Sequence, residues 1–116
     1  MLSLFDTQGK SGVTLGVSED VPCLILSDTQ GKIRIGLSAL KECPMLSLFD
    51  TQGKARISLD VSGDSPRLSI LDTRGKTRAV LGVTTTVNKV TGAETTTSEG
   101  TLTLFNEEGT VLFQEP

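Results

Sequence analysis

Aliphatic residues recur along this chain in pairs two positions apart, and the pairs themselves recur every 22 residues. Leucine stands at Leu2, Leu24, Leu46, Leu68 and Leu102, followed by Leu4, Leu26, Leu48, Ile70 and Leu104. After a polar segment comes a second alternating run: Val13, Leu15, Val17; Ile35, Leu37, Ala39; Ile57, Leu59, Val61; Ala79, Leu81, Val83. A period of two marks a half-buried strand, because successive side chains on a pleated chain point to opposite faces. A helix needs apolar positions three and four apart, and these runs do not supply them.

The polar segment between the runs reads Asp-x-x-Gly-Lys. Asp6, Asp28, Asp50 and Asp72 open it, with Asn106 in the fifth copy, and Gly9, Gly31, Gly53, Gly75 and Gly109 follow three residues later. Aspartate favours the first turn position by accepting amides further along the turn, and glycine takes the positive φ that other residues resist. A type I turn followed by a left-handed glycine is a common hairpin connection, so each unit predicts one β-hairpin. Pro22, Pro44 and Pro66 stand near the unit ends, and since proline cannot donate to a ladder they are expected to break the chain between hairpins.

The expected fold is all-β: about five tandem hairpins and ten short strands in a single repeat array over residues 1–116. The units are 1–22, 23–44, 45–66, 67–100 and 101–116, and the decapeptide at 1–10 returns unchanged at 45–54. Unit four departs from the period through a Thr-rich insertion at 84–99, which stretches the Leu68-to-Leu102 spacing to 34 residues. An insertion that leaves the repeat intact on both sides belongs on the surface, as a hairpin extension or a projecting loop. It carries no Asn-x-Ser/Thr sequon, so a glycan there would be O-linked.

Composition narrows the partners. A net charge of −3 has the wrong sign for a nucleic-acid footprint, and no apolar run approaches the ~18 residues of a membrane span. Ten strands as one open sheet would expose more apolar surface than a soluble monomer tolerates. The sheet must close, fold over or pack on other copies. A ten-stranded barrel needs bulky interior residues, yet the chain has four Phe and no Tyr or Trp. The second face is also partly apolar, at Phe5, Ile25, Phe49, Leu71 and Phe105, so self-association is expected: a β-prism, spiral or solenoid-like fibre, as a homotrimer or filament.

Chemical motifs are sparse. Gly9-Lys10-Ser11 and Gly75-Lys76-Thr77 resemble the end of a phosphate-binding loop, but Leu4 and Ile70 stand where its first glycine belongs. Each turn offers one carboxylate beside a lysine, too few oxygens for calcium, so no metal or cofactor is expected. The chain has no histidine, and no catalytic residue is assigned. Arg34, Arg56 and Arg78 recur two residues after the turn lysine, where ion pairs with turn aspartates are expected. Cys23 and Cys43 flank unit two, and either a disulfide or two free half-buried thiols is open to them.

The unit Leu-x-Leu-x-Asp-x-x-Gly-Lys-x-Arg-x-x-Leu resembles a group of uncharacterised bacterial repeat proteins. Their terminal unit reads Ser-Leu-x-Leu-Phe-Asp-x-x-Gly-Lys-Val-x-Trp-x-x-Pro; here Asn106, Thr110 and Phe113 replace its aspartate, lysine and tryptophan. The resemblance covers nearly the whole chain and implies an exported or surface-anchored protein, with an anchor upstream, but no site residues. Met1 holds the place of Met45 in unit three, so the chain reads as a mature or excised segment, or as one whose start lies upstream. The expected function is a stalk, spacer or extracellular filament on a bacterial surface. The alternative is a non-catalytic binding module that uses residues 84–99 for partner or glycan recognition.

Overall fold

The computed structural model describes residues 1–88 and 90–115. Lys89, inside the insertion, and Pro116, at the end of the terminal unit, lie outside the described residues. The fold is all-β, and among the described residues ten of twelve strands form one antiparallel sheet. The hairpins expected from the units are β1 (Leu2–Phe5) with β2 (Ser11–Ser18), β3 (Val21–Ser27) with β4 (Ile33–Ser38), and β5 (Met45–Phe49) with β6 (Ala55–Ser62). They continue with β7 (Ser65–Leu71) and β8 (Thr77–Gly82), and end with β11 (Leu102–Phe105) and β12 (Val111–Glu115). Strand order follows chain order throughout, with β11 next to β8, so the sheet is an open meander and not a closed barrel.

The turns form as the sequence predicts. In each, the amide of the glycine donates to the carbonyl of the opening Asp or Asn, as Gly31 does to Asp28 at 2.9 Å, and the five glycines take φ between +80° and +84°. The register then slips by one residue: in the second hairpin Ser27 faces Ile33 but Leu26 faces Ile35, which leaves Arg34 as an extra residue on β4. The glycine bulge of the turn itself lies at Gly31-Lys32 opposite Asp28, so Arg34 marks a second bulge just beyond it.

Pro44 lies in the connector just before β5, between hairpins as expected, but Pro22 and Pro66 do not break the chain, which corrects the sequence reading for those two. Pro22 and Pro66 lie within β3 and β7, opposite Val17 and Val61. Each is the second residue of its strand, where a missing amide costs little, and the Pro22 carbonyl still accepts from Ala39. The reversals between units one and two and between three and four are tight turns, with positive φ at Glu19, Asp20, Gly63 and Asp64. The junction between units two and three is longer, and that between three's successor and the fifth unit holds the insertion. Short and long joins therefore alternate, so the structural period is 44 residues, the distance at which the decapeptide recurs.

The insertion neither lengthens β8 nor stays irregular. It forms its own hairpin, β9 (Thr85–Val87) with β10 (Glu94–Thr96), while β8 pairs directly with β11 through Leu81 and Leu102. At the branch point Gly82 donates to the Thr101 carbonyl, and its φ of +121° leaves a Cβ only 2.3 Å from the Pro66 oxygen. Glycine is required there.

Candidate functional site

Registration puts the aliphatic residues of every strand side by side. Leu2 faces Leu15, Leu24 faces Leu37 and Leu46 faces Leu59 in one row. Two residues along each strand, a parallel row pairs Leu4 with Val13, Leu26 with Ile35 and Leu48 with Ile57. On the other side of the first row, a third contains Val17 opposite Pro22 and Val61 opposite Pro66. Because strands alternate their side chains, all three rows share one face.

Burial on the two faces is the reverse of what a soluble sheet needs. Leu15, Leu59 and Leu81 are each about half exposed (50%, 51% and 51%), while on the opposite face Ser47 and Thr103 are 7% and 0% exposed. The cause is the size of neighbouring side chains. The opposite face has a central row of small residues, Gly36 opposite Ser47 and Ser58 opposite Ser69, and longer groups lie across it. A Cβ built on Gly36 would touch the Phe49 ring at 3.5 Å. Arg34 and Arg56 reach to the next hairpin and donate through Nε to the carbonyls of Phe49 and Leu71. The polar face is partly covered by its own side chains; among the described residues nothing lies over the aliphatic face. Its middle dips into a groove of about 670 Å³ bordered by Leu24, Leu37, Leu46, Leu59 and Pro44.

The turn residues singled out from sequence stand together along one side of the sheet and act structurally. In the second hairpin, one oxygen of Asp28 accepts the amides of Gln30 and Lys32 at 2.9 and 3.0 Å, and Asp6, Asp50 and Asp72 repeat the arrangement. Asn106 does the same with Glu108 and Thr110. The amide of Lys32 is the main reason the Asp28 carboxyl sits below its usual range, with Gln30 and Arg34 adding to it against partial desolvation; Asp50 and Asp72 are lowered in the same way. The expected ion pairs form within hairpins, Arg34–Asp28 at 3.5 Å, Arg56–Asp50 at 3.8 Å and Arg78–Asp72 at 3.8 Å. Lys10 and Ser11 pass from turn to strand, with no helix to frame a phosphate. Among the described residues no three His, Cys, Asp or Glu side chains group as metal ligands, and no helix is long and apolar enough to cross a membrane.

Cys23 and Cys43 are free and half-buried. Cys23 lies opposite Ser38, one step from Leu37, while Cys43 sits in the connector after β4.

Sequence reasoning missed the pair Asp60 and Arg67, which are opposite one another on β6 and β7. Arg67 Nη2 lies 3.4 Å from Asp60 Oδ1, with Asp60 only 5% exposed. The contact is ionic without hydrogen-bond alignment, and both Asp60 Oδ1 and Arg67 Nε lack a hydrogen-bond partner. Reading Gly63-Asp64 as a tight turn would have placed the two residues face to face.

The insertion hairpin is held by its threonines. Thr84 and Thr97 exchange bonds at its base, Thr85 and Thr96 meet through their hydroxyls at 3.0 Å, and Thr97 Oγ1 donates to the Gly82 carbonyl. Between this hairpin and the fifth turn lies a cleft of about 600 Å³ bordered by Thr86, Thr95, Phe105 and Val111. No protein-family model matches the chain, and no curated protein is significantly similar to it.

Proposed function

We propose that this chain is a structural spacer: a repeat array whose length sets a distance, assembled from several copies and carried on the outside of a bacterial cell as a stalk or filament segment. The observation that carries the reading is the linear meander, in which every hairpin repeats the register of the one before and adds to the array in one direction. Nine gaps of about 4.8 Å make about 43 Å of sheet width, most of the 55 Å longest dimension. Units in such arrays contact chiefly their neighbours, so length scales with unit number. The bacterial surface comes from the resemblance of the repeat unit.

A second reading is favoured by the cleft beside Phe105: the threonine hairpin as a recognition element for a partner or glycan. Deleting residues 84–99 separates the two. Since β8 already pairs with β11, the spacer reading expects the shortened chain to keep its sheet, its length by small-angle scattering and its assembled mass. Loss of assembly on deletion contradicts it. Retained assembly with loss of binding to a polysaccharide that the full chain binds assigns the hairpin to recognition.

A further inference from the structure

The aliphatic face has dimensions that define its occupant. Two rows cross all ten strands, about 43 Å, and the third runs from β2 to β8, where the stripe is about 20 Å wide, so its flat area is about 770 Å². That exceeds the ~300–600 Å² of the largest patch on a typical monomer and matches the ~800 Å² that each partner contributes to a stable interface. The two rows that run through Leu15 and Val13 contain no charged side chain from β1 to β11 and meet one only at Glu115, opposite Leu102. The opposite face is partly covered by its own long side chains and carries a smaller groove, about 310 Å³ beside Ile25 and Phe49.

Periodicity argues for another copy of the chain. The ridges of this stripe repeat with the strand spacing of the sheet, and a second sheet with the same spacing is the surface that meshes along its whole length. The stripe width then selects the number of copies. Three stripes about 20 Å wide, joined edge to edge as a triangle, place each sheet about 6 Å from the common axis, close to half the ~10 Å separation of packed sheets. Aliphatic side chains fill that interior without aromatic residues.

We propose that the aliphatic face is covered by two further copies of this chain, the three sheets forming a triangular prism whose axis crosses the strands. The proposal rests on the spacer reading and gives it a symmetry. The edge rows then meet between neighbours, Leu and Ile of one copy against Val, Pro and Ala of the next, while Leu24, Leu37, Leu46 and Leu59 line the axis.

Sedimentation equilibrium of the full chain at micromolar concentration tests this. The expected mass is three times the 12.3 kDa of one chain. A mass of two chains overturns the prism while leaving the spacer reading in place, and a mass of one chain overturns any covering by further copies. A single chain that also floats with phosphatidylcholine vesicles would assign the face to lipid and overturn the proposal. The Leu37→Lys, Leu59→Lys double variant is expected to lose the three-chain species, whereas Ser3→Lys on the opposite face keeps it. A Leu37→Lys, Leu59→Lys chain that retains the three-chain mass overturns the proposal. If that variant fails to fold, the wild-type mass still decides.

Discussion

Lys32 Nζ donates to the main-chain carbonyl of Thr51 at 3.0 Å, tying the turn of the second hairpin to the turn of the third. Lys10, Lys54 and Lys76 do the same for Thr29, Thr73 and Glu107. The arginines add a second tie between the same hairpins, two residues further from the turns, from Arg34 to Phe49, Arg56 to Leu71 and Arg78 to Phe105. In the fifth hairpin both donors are gone, with Thr110 and Leu112 in their places. The repeat thus carries its own rule for joining a hairpin to its successor, and the last hairpin lacks it.

Replacing Lys32 and Lys54 by Met should cost about 0.5 kcal/mol each, the low end for hydrogen bonds made at an exposed tip. Hydrogen exchange should quicken at the turn amides of hairpins two to four and stay unchanged in the middle of the strands. Equal acceleration at Ser47 and Ser58 would show that the ties hold more than the tips.

Acid should weaken the turns in a defined window. The carboxyls of Asp28, Asp50 and Asp72 sit lower in the folded chain than when unfolded, so their stabilisation is complete above the unfolded value of about 3.9 and disappears as pH falls through the folded values. Asn106 makes the same two amide bonds without a charge. The triple Asp→Asn variant should therefore melt below the wild type at pH 7, and the gap should narrow and close as pH falls through the folded values. A gap that persists in acid would mean that something other than carboxylate charge separates the two.

Two glycines with positive φ should differ sharply. Nothing lies near a Cβ on Gly53, so Gly53→Ala adds only backbone strain, about 1–2 kcal/mol. At Gly82 the same change drives a Cβ into the Pro66 carbonyl and displaces the bond to Thr101, a loss of about 4 kcal/mol or more. Chemical denaturation of the two variants gives the comparison, and similar midpoints would refute the steric argument.

For the Asp60–Arg67 pair, Arg67→Leu strands a buried carboxylate. The cost should be about 2 kcal/mol, below the 3–5 of a fully buried pair because Arg67 itself is 39% exposed. Adding Asp60→Leu should restore most of the loss. Additive destabilisation in the double variant would contradict the coupling.

The hairpins were legible because each level of the sequence agreed with the next: alternation set the strands, and Asp with Gly set the turns. The joins were not. Glu19-Asp20 forms a tight turn with positive φ at both residues, at a cost that ordinary propensity counts against it, and Pro22 beside it suggests a break where β3 begins. The buried Asp60–Arg67 contact depends on the second such turn, so it stayed hidden with it. The aliphatic face could be foreseen from the alternation, but its contrast with the other face could not. That contrast depends on how Phe49 and the arginines lie over small residues on the neighbouring strand, which no local pattern records.

The central claim is that units add length along one axis, and inserting a second copy of residues 23–66 after Pro66 tests it most directly. Four more strands at about 4.8 Å should lengthen the particle by about 19 Å in small-angle X-ray scattering while its cross-section stays constant. A particle that thickens in all directions, or keeps its original length, would contradict the account.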